Sequence, residues 1–194
     1  MTEQAPAPAS AFLAARRSYP ARALRAPAPS GAALEAILSA GLRVPDHGRL
    51  EPWRLLVIRG GGLARLAEAA TARIAHSGRD PEKAAKSAET LAASPLVVVV
   101  VASPRASDSI PAIEQTLSAG AVCLSLVNAA LADGWGAAWL TGWIAYDRAL
   151  LEDVLGLAPH ETVAGLIHIG TPEGPRPPER ARPDLARAVG WIEG

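Results

Sequence analysis

"RVPDHGRLEPWRLLVIRG", residues 43–60, passes from a polar, Pro-broken segment into a largely apolar run. Its second half, "WRLLVIR" at 53–59, favours a pleated backbone and meets three glycines at 60–62, so it predicts a strand that stops at a turn. The first half predicts a loop, because Pro45 disfavours helical geometry at Val44 and Asp46 is a good turn former. Polar chemistry thus collects at the entrance to a strand, in a chain otherwise rich in Ala, Leu and Val. Arg43 and His47 suit the polar edge of a ligand. The plainer readings are a turn group for Asp46, a surface ion pair for Glu51 and Arg54, and a core position for Trp53.

Upstream of this stretch, Ala11 to Arg17 predicts a short helix with Phe12 and Leu13 inward, ended by Pro20. A Pro-rich connector leads to Ser30, an N-cap for "GAALEAILSAGL", where Leu34, Ile37, Leu38 and Leu42 recur at helical spacing. Downstream, Leu63 to Ile74 predicts a helix, and residues 76–94 a surface connection that becomes helical before Pro95. "LVVVVVA" at 96–102 predicts a buried strand, "WGAAWLTGW" at 135–143 a short strand entering a loop, and "VAGLIHIG" at 163–170 another buried strand. Residues 112–132 form the longest helical candidate, apolar on most faces, as expected of a central or interface helix. Four strands separated by helices predict an α+β fold with a central mixed sheet flanked by helices. Residues 1–10 read as a mobile lead-in, 11–172 as one domain, and 173–194 as a Pro- and Arg-rich arm lying on another surface.

At 194 residues, one domain is the expectation. Lys plus Arg and Asp plus Glu both number 19, so no global field favours nucleic acid or an anionic membrane, and any partner must be recognised locally. Cys123 is the only cysteine, which excludes an intrachain disulfide and a multi-cysteine zinc site. The start "MTEQAPAPAS" has neither a basic n-region nor an apolar h-region, and a cytoplasmic protein is expected. The run at 96–102 falls well short of the roughly 20 residues a spanning helix needs.

Two further short motifs carry chemistry. "RRS" at 16–18 offers two planar guanidinium forks and a hydroxyl, the groups that cradle a phosphate monoester; the plainer reading is a solvated basic helix end. "GWGAAWLTG" at 134–142 alternates small residues with aromatics, so a flat ligand can come close to the backbone near Trp139 and Thr141; the plainer reading is a tightly packed strand end. The glycines at 60–62 lack the Lys-Ser/Thr of a phosphate loop, and no GxSxG nucleophile elbow occurs. His47, His76, His160 and His168 show no metal-ligand spacing, and a centre built from Asp46, His47 and His168 would need the fold to assemble it. Cys123 reads as inert core.

Taken in order, "RRS", "PAPSG", "ILSAGLRVPDHGRLEPWRLLVIRG", "EQTLSAGAVCLSLVNAALADGWGAAWLTG" and "VAGLIHIGTP" resemble the small, single-domain nitroreductase-family flavoproteins, over Arg16 to Pro172. The resemblance implies an intertwined homodimer with one FMN at each subunit interface, reduced by NAD(P)H and reoxidised by a nitroaromatic, quinone or related flat acceptor in ping-pong order. By the same resemblance Arg16, Arg17 and Ser18 take the FMN phosphate and ribityl chain. Trp139, Leu140 and Thr141 form a further FMN-contacting segment, with Leu140 standing where the short branch carries Arg. Arg43 and His47 reach the flavin held mainly by the other chain, Arg43 supplying positive charge at the pyrimidine edge and His47 a hydrogen bond. No catalytic acid or base and no metal is implied. Enone or dehalogenating reduction, flavin breakdown, and a non-enzymatic flavin-binding dimer are the alternative functions.

Overall fold

Leu96–Ala102 forms strand β3, and every one of its side chains is buried. Neither face of the strand meets water, which is why its sequence is an unbroken apolar run without alternation. In the computed structural model, which describes residues 9–193, β3 lies between β2 (Trp53–Arg59) and β5 (Thr162–Pro172). Strand β4 (Gly136–Leu140) pairs with β5, and the two-residue β1 (Leu24–Arg25) pairs with its last residues.

Every pairing among the described residues is antiparallel, which corrects the expected mixed sheet. The reason lies in the connections. Between β2 and β3 the chain makes two helical passes, α3 (Gly61–Ala72) and α4 (Pro81–Ala93), and an even number of passes returns it antiparallel to its neighbour. The α+β class with helices on both faces stands. Helices α3 and α4 cover the face that carries Val97, Val99 and Val101; α2 (Gly31–Gly41) and α5 (Ala112–Ala132) cover the face that carries Leu96, Val98 and Val100. Successive β3 residues feed opposite cores, as the strand period of two requires.

Helix α5 is long and apolar enough by composition to cross a membrane. Its Val122, Cys123, Leu126, Val127 and Ala130 instead pack on the sheet, so it is the central helix of this fold. Burial pushes the Cys123 thiol up to about 12, in line with an inert core residue.

The ends depart from expectation. Helix α1 spans Ala9–Ala15, two residues short of the expected end, and Leu13 is 55% exposed rather than inward while Phe12 is half-buried. Residues 1–8 of the expected lead-in lie outside the described residues, whereas Ala9 and Ser10 open α1. Ser30 sits at the N-cap position of α2, yet its hydroxyl makes no capping bond. The C-terminal arm carries a one-turn helix, α6 (Leu185–Ala188), and lies against its own chain: Arg176 Nη2 donates to Ala15 O at 2.7 Å, and Arg182 donates to Ala14 O.

Candidate functional site

The segment after α1 cannot continue the helix into Pro20, and its backbone turns toward the sheet, where Tyr19 N–H donates to Ala137 O at 3.0 Å. That bond brings Arg16, Arg17 and Ser18 beside β4, and the three line one cleft of about 670 Å³ with Trp139 and Leu140. The cleft also takes in residues 177–183 of the C-terminal arm. Two motifs some 120 positions apart in sequence therefore meet, as a shared binding site needs.

Trp139 is placed by a glycine. A Cβ on Gly165 would stand 2.2 Å from the Trp139 ring nitrogen, so only glycine lets the indole lie over β5, where Nε1 donates to Ala164 O at 3.1 Å. Trp139 nevertheless stays 41% exposed and offers a flat apolar surface.

Arginine chemistry dominates the other wall. Arg16 Nη2 donates to Ser18 Oγ at 2.9 Å, while its Nε is buried with no hydrogen-bond partner among the described residues. An unpaired buried donor of this kind is costly unless something outside the chain satisfies it. Arg17 Nη1 donates to Ala15 O and Arg16 O, so the plainer reading, a basic helix end, holds for part of this side chain. Its other terminal nitrogen faces the Glu179 carboxylate of the arm, which also pairs with Arg182 at 3.0 Å. Desolvation, together with the charges of Arg182, Arg176 and Arg16, pulls the Arg17 guanidinium below its usual value. Two guanidinium groups thus share one carboxylate, with Arg176 and Arg16 adding positive charge close by, an arrangement that suits a further anion. A phosphate monoester, with close to two negative charges and three acceptor oxygens, fits that description.

Thr141 faces a neighbouring cleft of about 490 Å³ that shares Trp139 and Leu140 with the first. Arg43 and His47 do not line the arginine cleft of their own chain. They lie along α5 instead, where Ser118 Oγ donates to Pro45 O at 2.8 Å and Ser125 Oγ to Ala40 O at 3.1 Å. Arg43 is exposed, and His47 Nδ1 lies 2.7 Å from Glu114 Oε2. A carboxylate only accepts, so Nδ1 carries the proton and Nε2 points away from this pair. The loop between them and β2 is strained: Gly48, Arg49 and Glu51 all have positive φ, at 70°, 54° and 47°, and Asp46 Oδ2 holds the turn by accepting from Glu51 N at 2.8 Å. The turn role expected of Asp46 is therefore present.

The expected ion pair is corrected. Arg54 does not pair with Glu51; it makes a two-pronged contact to Glu161, Nε to Oε1 and Nη2 to Oε2, both at 2.7 Å. Those hydrogen bonds hold the Glu161 carboxyl at about 2. Trp53 is half-buried and packs against the core between the sheet and α5, as expected, its Nε1 donating to Ser118 Oγ at 3.1 Å. Among the described residues no group of three His, Cys, Asp or Glu side chains could hold a metal ion, and His168 and His47 are bound to Ser94 and Glu114 respectively.

The sequence model of the nitroreductase family matches residues 13–171, most of the chain. The chain belongs to the nitroreductase family. Among its relatives, the Escherichia coli K12 protein named "Putative NAD(P)H nitroreductase YdjA" is 32% identical over 158 residues, 81% of this chain and 85% of that protein. A Haemophilus influenzae Rd protein named "Putative NAD(P)H nitroreductase" is 33% identical over 150 residues, 76% of this chain and 80% of that one. A nitroreductase-like family protein from Bacillus cereus superposes with a TM-score of 0.81 at 25% identity, covering the whole of both chains. A nitroreductase from Desulfovibrio desulfuricans, solved in complex with FMN, gives 0.72 at 25% identity over 94% of this chain and 95% of that one. For a nitroreductase-family chain, the arginine cleft beside Trp139 is the candidate cofactor site.

Proposed function

We propose that this chain is an FMN-dependent oxidoreductase that takes electrons from NADH or NADPH and passes them to flat acceptors such as nitroaromatics and quinones. The observation that carries the reading is the buried, unpartnered Nε of Arg16 within a cleft of crowded guanidinium groups, in a family with FMN-bound members. Arg16, Arg17 and Ser18 hold the phosphate and ribityl chain. Trp139 and Thr141 contact the cofactor further along, and Leu140, lacking charge, contributes backbone only. FMN held there would supply the two-electron chemistry between nicotinamide and acceptor, in ping-pong order. The chain's own residues bind, orient and tune, and no side chain is assigned a proton-transfer step.

The site is completed by a second copy of the chain, with Arg43 and His47 of the partner subunit at the cofactor. Support comes from the position of this loop, stapled along α5 beside the exposed Ile113, Leu117 and Leu124. Those three share one helical face.

Fluorescence titration with FMN tests the anchor. Arg17→Ala should weaken binding about 10- to 100-fold, the effect of removing one charge-assisted phosphate contact. An unchanged affinity would leave Arg17 as a helix-end cap and no more. A mixed dimer tests the sharing. When an Arg17→Ala chain is paired with an Arg43→Ala chain, one site collects both defects and the other keeps both arginines, so half the sites should bind FMN with wild-type affinity. Two equally impaired sites would mean that Arg43 serves its own chain.

A further inference from the structure

The second cleft, between α4 and the end of β4, has a floor that the cofactor reading does not use. His168 on β5 is 1% exposed, and its Nδ1 lies 2.7 Å from Ser94 Oγ. That same hydroxyl lies 2.7 Å from Thr90 O. A carbonyl can only accept, so the single proton of Ser94 is committed to Thr90. Ser94 must then accept from His168, and the imidazole carries its proton on Nδ1. The other nitrogen, Nε2, is left with a bare lone pair. It has no protein partner among the described residues and is not among the sealed polar atoms, and His168 lines the cleft. Burial pushes the ring down to about 4, so it stays neutral and the lone pair stays available at ordinary pH.

Around this acceptor Leu91, Ile144 and Leu166 give apolar wall, Ser87, Thr90 and Thr141 add hydroxyl-bearing residues, and the only charged side chain on the lining is Lys86, which is exposed. A volume of about 490 Å³ suits a single aromatic molecule. We propose that this cleft binds a flat aromatic acid carrying an O–H or N–H donor, the donor directed to His168 Nε2 and the acidic group to Lys86. Because the cleft shares Trp139 and Leu140 with the arginine cleft, such a ligand would lie beside the cofactor, and a role as electron acceptor, which needs a reducible substituent such as a nitro group on the same ring, rests on the reading given above. The binding itself does not.

The probes are 4-hydroxybenzoate and 4-methoxybenzoate, which differ chiefly in the donor proton. Nitrogen-15 histidine NMR of the purified protein, with and without FMN, should show His168 as the Nδ1–H tautomer, and 4-hydroxybenzoate should move its unprotonated-nitrogen resonance. Calorimetry should give 4-hydroxybenzoate about a tenfold advantage over the methoxy compound, the effect of one buried hydrogen bond. His168→Phe should abolish that advantage, and Lys86→Met should weaken both probes alike. Should His168→Phe fail to fold, Ser94→Ala releases the Nδ1 proton and should cut the advantage in a folded protein. An Nε2–H tautomer, or equal affinities for the two probes, would overturn the inference. A yellow protein with equal affinities overturns this inference alone, whereas a protein that discriminates the probes and binds no FMN overturns the cofactor reading alone.

Discussion

Stability should fall by about 3 kcal/mol as pH is lowered from 6.5 to 4, through His168. The folded chain holds this imidazole neutral down to about 4, whereas in the unfolded chain it protonates near 6.5. Between those values the unfolded state binds a proton that the folded state refuses, so stability drops with falling pH and the loss levels off below about 4. Glu161 acts over a lower window. Its folded value of about 2 lies below the ordinary carboxylate value, so its bond to Arg54 stabilises fully above about 4.5 and is lost as pH falls toward 2. Urea unfolding across pH 7 to 4 should show the first slope, and His168→Phe should flatten it. A wild-type curve level over that range would contradict the placement of His168.

Leu124→Glu should turn a dimer into monomers, raising the dissociation constant about 100-fold or more, because an unpaired carboxylate costs several kcal/mol to bury at an interface. Leu124 is 48% exposed in the single chain, on the same face of α5 as Ile113 and Leu117. Its neighbour Val127 is only 2% exposed and packs on the sheet, so Val127→Glu should unfold the chain instead. The pair separates assembly from folding: light scattering and circular dichroism should show Leu124→Glu folded and monomeric, with weakened FMN binding. A wild-type chain that runs as a monomer near 20 kDa would contradict the shared site.

Elements with strong local periodicity were legible from the residues themselves. The bounds of β2, β3 and α5 follow from an apolar run closed by glycines, a Val run after Pro95, and helical spacing after Pro111. Strand direction was not legible, because a connection reading as helical does not reveal how many passes it makes; α4 hides in a charged stretch whose buried residues are mainly alanines. Contacts between residues far apart in sequence were also missed. Arg54 finds Glu161 and Ser94 finds His168 only once the sheet brings them together, and no local pattern encodes either pair. For the candidate site, "RRS" offered anion-binding chemistry beside a plainer helix-end reading, and only the fold shows that it lines one cleft with Trp139 and Leu140. The arm was read as lying on another surface, but Glu179 meets Arg17 of its own chain through a fold-back that its Pro-rich composition does not specify.

Anaerobic mixing of the purified, FMN-loaded protein with NADH and with NADPH, followed at the flavin absorption band in a stopped-flow instrument, tests the oxidoreductase reading most directly. The account predicts that at least one of the two bleaches the band within seconds, and that a nitroaromatic or quinone then restores it. A yellow protein whose band neither nicotinamide bleaches would be a flavin binder without turnover, and a colourless protein that takes up no FMN would remove the cofactor from the account altogether.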